Sequence, residues 1–374
     1  MSSTADTLGE LSLPKSQLDL LLTRLQQRGY QVLGPRSRHG TIEYGPIERT
    51  ADLPVGLESD QAPGSFRLRP GADDRVFDAI PGADSWRKFL FPARNPLFRV
   101  ERNDGANALI PFPVEEPQLA FIGVRACELA AIAITDKVFQ HPGATDPIYQ
   151  ARRRDLFVMA IDCHAPAATC FCDSMGTGPR AEAGFDLALS ELDESYLVRV
   201  GSQVGASVIA DLRLQPADEA ERTEAKTAVE RARSAMTRRI PTEGLPERLL
   251  TNLNHPRWEQ VAGRCLNCTN CTLVCPTCFC WDVADDELWT ADASQRVRTW
   301  DSCFNPDHSY HAGGGATRPT VRSRYRQWLT HKFASWVGQF GVSGCVGCGR
   351  CITWCPAKID VTEEITAIVS GEAQ

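Results

Sequence analysis

The chain has no apolar run long enough to cross a bilayer. Its most apolar segment, Leu119 to Ile134, is short of a span and contains Arg125 and Glu128. The first twenty residues lack the apolar stretch of a secretory signal and the paired arginines of a folded-protein export signal. A cytoplasmic protein with no membrane partner is therefore expected. Basic excess is missing too: the net charge of −7 argues against a nucleic-acid partner. No Gly-x-Gly-x-x-Gly follows a strand and no Walker-type phosphate loop occurs, so nothing here is expected to bind flavin or nicotinamide. Gly313-Gly-Gly315 is a lone glycine run. His39, His141, His164 and His255 are scattered and read as ordinary polar residues, and no Ser/His/Asp arrangement can be argued.

What the sequence has is cysteine. Fifteen are present, odd in number and clustered, in a chain of 374 residues that is too long to need disulfide staples. In a reducing compartment such cysteines bind metal more often than they pair. The length predicts two domains, placed at 1–245 and 246–374.

Residues 1–14 are polar and read as disordered. Ser16-x-x-Asp19 resembles a capping box, ahead of Leu18, Leu21, Leu22 and Leu25 at helical spacing, and Gly29 ends that helix. Residues 34–118 are rich in Pro, Gly and Arg and give few elements. Leu119–Val124 and Leu156–Ile161 read as buried strands flanking an amphipathic helix over 127–139, a parallel βαβ unit. Residues 196–210 add short apolar segments, so the first domain is expected to be α/β. A solvent-facing helix is predicted over 218–239, stopped by Ile240-Pro241, with 241–256 as a linker. The second domain is expected to be mostly helical and of the dicluster ferredoxin type, giving an α+β/α chain.

Cys265-x2-Cys268-x2-Cys271-x3-Cys275-Pro276 recurs 80 positions later as Cys345-x2-Cys348-x2-Cys351-x3-Cys355-Pro356. Three thiolates at this spacing wrap one face of a cubane, and the fourth, just before a proline, reaches the neighbouring cluster. One [4Fe-4S] cluster is thus assigned to Cys265, Cys268, Cys271 and Cys355, and a second to Cys345, Cys348, Cys351 and Cys275. Paired zinc sites would want two Cys pairs at wider separation. The long insert, 276–344, places Val321, Tyr325, Trp328, Phe333 and Trp336 at helical spacing, with Arg322, Arg326 and Lys332 on the wet face. A sharper reading has these cations compensating the negative clusters or docking a partner.

Cys127 and Cys163 follow the two parallel strands at the edge where α/β sheets hold ligands, and Cys170-Phe-Cys172 lies in a short loop able to fold over that edge. A third [4Fe-4S] cluster on Cys127, Cys163, Cys170 and Cys172 is the reading preferred over buried, unligated thiols. Asp162, Asp173 and Glu128 flank these cysteines and read as hydrogen-bonded or solvated acids before carboxylate ligands. Cys278, Cys280 and Cys303 complete the fifteen. Buried structural thiols are the default there; His308 or His311 as a fourth donor would make a zinc or cluster site. With redox centres and no substrate machinery, the chain is expected to pass electrons and not to catalyse. Structural, non-redox clusters are the alternative.

Several motifs together resemble a known family. Gly123-Val-Arg-Ala-Cys-Glu-Leu129, Asp146-Pro-Ile-Tyr149, Cys170-Phe-Cys-Asp-Ser-Met-Gly-Thr-Gly-Pro179, Gly184-Phe-Asp-Leu187, Cys275-Pro-Thr-Cys-Phe-Cys280, Trp300-Asp-Ser-Cys303 and Cys345-Val-Gly-Cys-Gly-Arg-Cys351 are similar to the beta subunits of cytoplasmic NAD(P)-linked [NiFe] hydrogenases, or sulfhydrogenases. Anaerobic sulfite reductase A subunits share this broader family. The resemblance spans about residues 85–365 and departs from the family at Ala126, where Pro is frequent. It implies a hetero-oligomer with a flavin subunit that exchanges hydride with NAD(P)H, and with hydrogenase small and large subunits. FAD, NAD(P) and the Ni-Fe centre then belong to partners, and this chain relays electrons. Relay to a sirohaem subunit of a sulfite reductase is the competing reading.

Overall fold

A computed structural model describes residues 9–103, 106–288 and 293–370 of the protein. The apolar run at 119 forms the strand Leu119–Arg125, buried at every residue. It is followed by the helix Ala126–Phe139 and, after a second helix at Pro147–Arg154, by the strand Phe157–Ile161. The two strands are parallel neighbours, with Ala120 opposite Phe157 and a register shift between Ile122 and Val124. Gly123 sits at that bulge with φ 79°, and a Cβ there would meet the Phe77 ring at 2.8 Å.

These strands lie in an eight-stranded sheet. Its order is Gln215–Pro216, Leu11–Pro14, Ser195–Val200, Leu187–Glu191, Phe157–Ile161, Leu119–Arg125, Gln31–Arg38 and Thr41–Pro46. The four strands from Leu187–Glu191 to Gln31–Arg38 are mutually parallel, and antiparallel strands close both edges. Separate apolar cores cover the two faces, one built on Leu18, Leu21, Leu22 and Leu25 and the other on Trp86, Phe91, Phe121 and Phe139. A third core joins the dicluster region around Trp258, Tyr325, Trp328, Phe333 and Ile365, and it takes in Phe171 from the loop after the second strand.

Several expectations change. Residues 1–8 lie outside the described residues, but Leu11–Pro14 is a strand of the main sheet. The first helix is Leu18–Gln27 and has no side-chain cap; Asp19 instead accepts from Thr50 N and Oγ1. The Pro/Gly-rich stretch carries six strands between Gln31 and Pro111. Its glycines and prolines mask the alternation by which strands are recognised. The expected linker 241–256 contains the helix Leu245–Thr251, whose Leu245 and Leu249 sit in the third core.

The C-terminal part is less helical than expected, because its insert forms the antiparallel pair Trp281–Leu288 and Ala293–Trp300. That pair continues into Arg94–Asn103 and Ala106–Pro111, so one four-stranded sheet crosses the expected 245/246 boundary. The helical stretch predicted from 321 runs as Val321–Thr330, a π-helical segment His331–Ser335 and a further turn Trp336–Phe340. Lys332 is not on the wet face but 4% exposed.

Candidate metal centre

The two cysteine runs fold alike. Each loop ends in a one-turn helix, Asn270–Leu273 in the first and Arg350–Thr353 in the second. In each, the backbone N–H two residues past the first cysteine donates to its sulfur: Asn267 N to Cys265 Sγ and Gly347 N to Cys345 Sγ, both at 3.4 Å. Each takes left-handed backbone at the same two positions, Asn267 and Thr269 at φ 53° and 67°, Gly347 and Gly349 at 65° and 74°. Ile359 N donates to Cys355 Sγ at 3.3 Å. Amide donors on sulfur favour the negatively charged form, and in cluster sites they set the potential.

Burial pushes the Cys271 thiol well up, and Cys265, Cys355 and Cys268 around it add to the effect. Burial acts likewise on Cys351, beside Cys345, Cys348 and Cys275. Cys355 thus lies among the cysteines of the first run, and Cys275 lies beside both Cys271 and Cys351. A thiol so buried resists ionisation until a metal supplies the counter-charge. Among the described residues no three Cys, His, Asp or Glu side chains close on a single-ion position. The donor type, the amide-to-sulfur bonds and the burial all fit iron–sulfur clusters.

Cys127, Cys163, Cys170 and Cys172 come together at the C-terminal edge of the parallel strands. Burial raises the Cys172 thiol first, and then Cys170, Cys163 and Cys348. Cys127 is raised by burial and then by Cys172 and Cys348. Arg125 Nη1 donates to Cys163 Sγ at 3.5 Å. The loop bearing Cys170 and Cys172 lies against the second run, with Phe171 N donating to Gly347 O at 2.8 Å. The contact is backbone on backbone: a Cβ on Gly347 would come 2.6 Å from Cys172 N, and one on Gly349 would overlap the Thr169 carbonyl. Their counterparts in the first run, Asn267 and Thr269, carry side chains and are half-buried.

A family model described as a 4Fe-4S dicluster domain matches residues 264–359. Over 289 residues the chain is 34% identical to "Sulfhydrogenase 2 subunit beta" of Pyrococcus furiosus, covering 76% of this chain and 83% of the relative. This chain belongs to the sulfhydrogenase beta-subunit family. No solved structure matches it. Membership and the dicluster domain together give this hydrogenase beta-subunit homologue an electron-transfer role. No helix among the described residues is long and apolar enough to cross a membrane.

In this beta-subunit homologue the acids near the N-terminal cysteines already have partners. Asp162 accepts from Arg199, Ser190 and Ala181 N; Asp173 accepts from Arg233 and Arg239. Glu128 accepts from Tyr44 at 2.8 Å, Trp86 at 3.2 Å and Arg350 at 2.6 Å. Arg350 also lies near Cys348 and Cys127, so one buried cation stands between the second run and the N-terminal group.

Sequence reasoning singled out neither Arg350 nor Arg87, and it put Lys332 outside on the strength of its charge. Lys332 Nζ donates to Thr277 Oγ1 at 2.9 Å and Gly344 O at 3.2 Å. Burial works against its charge, but the sulfurs of Cys275, Cys278 and Cys345 outweigh that and raise its pKa. Of the three cations offered as compensation for the clusters, Lys332 is the one in position. Arg322 instead reaches Glu259, and Arg326 donates to Leu253 O.

Proposed function

We propose that the chain relays single electrons between a flavin- and NAD(P)H-binding subunit and a [NiFe] hydrogenase module, and carries no bond-making chemistry itself. In this reading Cys265, Cys268, Cys271 and Cys355 hold one [4Fe-4S] cluster. Cys345, Cys348, Cys351 and Cys275 hold a second, and Cys127, Cys163, Cys170 and Cys172 a third. A bound cluster supplies reversible one-electron exchange. The chain's own residues bind it, keep water off it and balance its charge. Cys163, Cys170 and Cys172 are buried; Lys332 and Arg350 bring positive charge to the second run.

The observation that carries the reading is the backbone seam between the N-terminal group and the second run. Phe171 N donates to Gly347 O, and the Cys170 sulfur lies 3.9 Å from Cys348 O. With Cys275 and Cys355 exchanged between the runs, all three groups make one continuous array. Its first run is the end nearest solvent: Cys268 is exposed, and Leu266 beside it is 67% exposed.

The test is Cys172→Ala in the assembled complex, with two assays on one preparation. Hydrogen oxidation with an artificial dye, which bypasses this subunit, should be retained. The reaction coupled to NAD⁺ or NADP⁺ should fall by about tenfold or more per folded complex. Equal rates in both assays, with the third cluster shown by spectroscopy to be missing, remove that site from the electron path.

A further inference from the structure

Three cysteines stand outside the three groups above, and the fold collects them. Cys278-Phe279-Cys280 leads directly into the strand Trp281–Leu288, and Cys303 follows the strand Ala293–Trp300 by three residues. The strands pair antiparallel with Trp281 opposite Trp300, so the base of the hairpin brings the two segments side by side. Asp301 N donates to Cys280 O at 2.9 Å, closing that base. The Cys280 thiol faces both the Cys303 thiol and the His308 ring, and Cys278 lies beside Cys303 and Cys275.

His308 is arranged as a metal ligand would be. Its Nδ1 is bonded to Asp301 Oδ2 at 2.5 Å, and Asp301 is itself held by Asn305 Nδ2 at 3.0 Å. With Nδ1 engaged, Nε2 is the ring nitrogen left to face Cys280. A carboxylate that fixes one imidazole nitrogen so that the other can bind metal is the usual outer shell of a histidine ligand.

The surroundings are cationic and dry. Arg87 is 7% exposed and stacks 3.6 Å over the Trp300 ring. It donates to Cys278 O at 2.6 Å and Leu273 O at 2.6 Å, and its Nε has no partner. Lys332 lies near Cys278 and Cys303. Two buried cations stand beside these thiols, and a thiolate-ligated cluster is an anionic group that they would help to balance.

We propose that Cys278, Cys280, Cys303 and His308 bind an additional [4Fe-4S] cluster at the base of the 281–300 hairpin. A single zinc ion is the other occupant such donors suit, and the two differ in iron and sulfide content.

The experiment uses the full chain, reconstituted anaerobically and assayed for iron, sulfide and zinc, as wild type and as Cys280→Ser/Cys303→Ser. The double variant should lose about four irons and about four sulfides relative to wild type, with the paramagnetic signals of the dicluster retained. Because the readout is a difference confined to these residues, it stands apart from the fate of the Cys127, Cys163, Cys170 and Cys172 site. Equal iron in both proteins overturns the proposal, as does loss of about one zinc per chain in place of iron. Should the double variant fail to fold, His308→Cys decides. It should keep the wild-type iron content and change the spectrum of one cluster, and an unchanged spectrum rejects the four-donor site.

Discussion

Lys332 is the residue at which side-chain type misleads. It follows Trp328 by four positions and so shares the helical face of Val321, Tyr325 and Trp328, but its charge reads as solvent-facing. Its ammonium lies inside, against Thr277, Gly344 and the sulfurs of Cys275, Cys278 and Cys345. A positive charge next to a cluster stabilises the reduced, more negative form. Lys332→Gln should lower the midpoint potential of the cluster held by the second run by roughly 60 mV or more. That corresponds to about 1.4 kcal/mol for one electron, and a buried charge at contact range is worth at least as much. A redox titration followed by paramagnetic resonance reads it, and an unchanged or higher midpoint refutes the assignment. The cysteine runs were legible in the sequence because ligand spacing is written locally. Lys332, Arg87 and Arg350 were not, because each acts through contacts that only the folded chain creates.

At the scale of elements, the two cysteine loops share one backbone path and differ in what covers them. The second has glycine at both left-handed positions, and the 169–172 loop presses directly on it. Gly349→Ala should destabilise the protein by about 2–4 kcal/mol, combining backbone overlap with the cost of a left-handed alanine. Thr269→Ala at the matching position of the first loop should cost less than about 1 kcal/mol. Thermal unfolding of the two variants side by side measures the asymmetry, and equal losses would mean that the seam contributes nothing. The parallel βαβ unit was readable from its apolar runs, because a strand buried on both faces has no polar alternation to confuse. The strands at Arg94–Asn103 and Trp281–Leu288 were not. They are polar, and the first pairs with Ala293–Trp300, some two hundred positions away.

At the scale of the molecule, one four-stranded sheet and the shared third core bind the N-terminal part to the dicluster region. The cysteine groups therefore keep fixed distances, which a relay requires. Phe171, fully buried among Trp328, Phe333 and Ile352, locks the loop between its two flanking cysteines. Family membership and the dicluster match give the chain its electron-transfer role, and the seam at Phe171 and Gly347 sets the N-terminal cysteines against the second run. The most direct test of that role is a potentiometric titration of the purified chain with paramagnetic detection, since ligand counting alone does not separate a wire from a staple. Reversible one-electron signals from every bound cluster are predicted. Clusters that are present by iron and sulfide analysis yet give no signal down to about −700 mV, the floor for such centres, would contradict it.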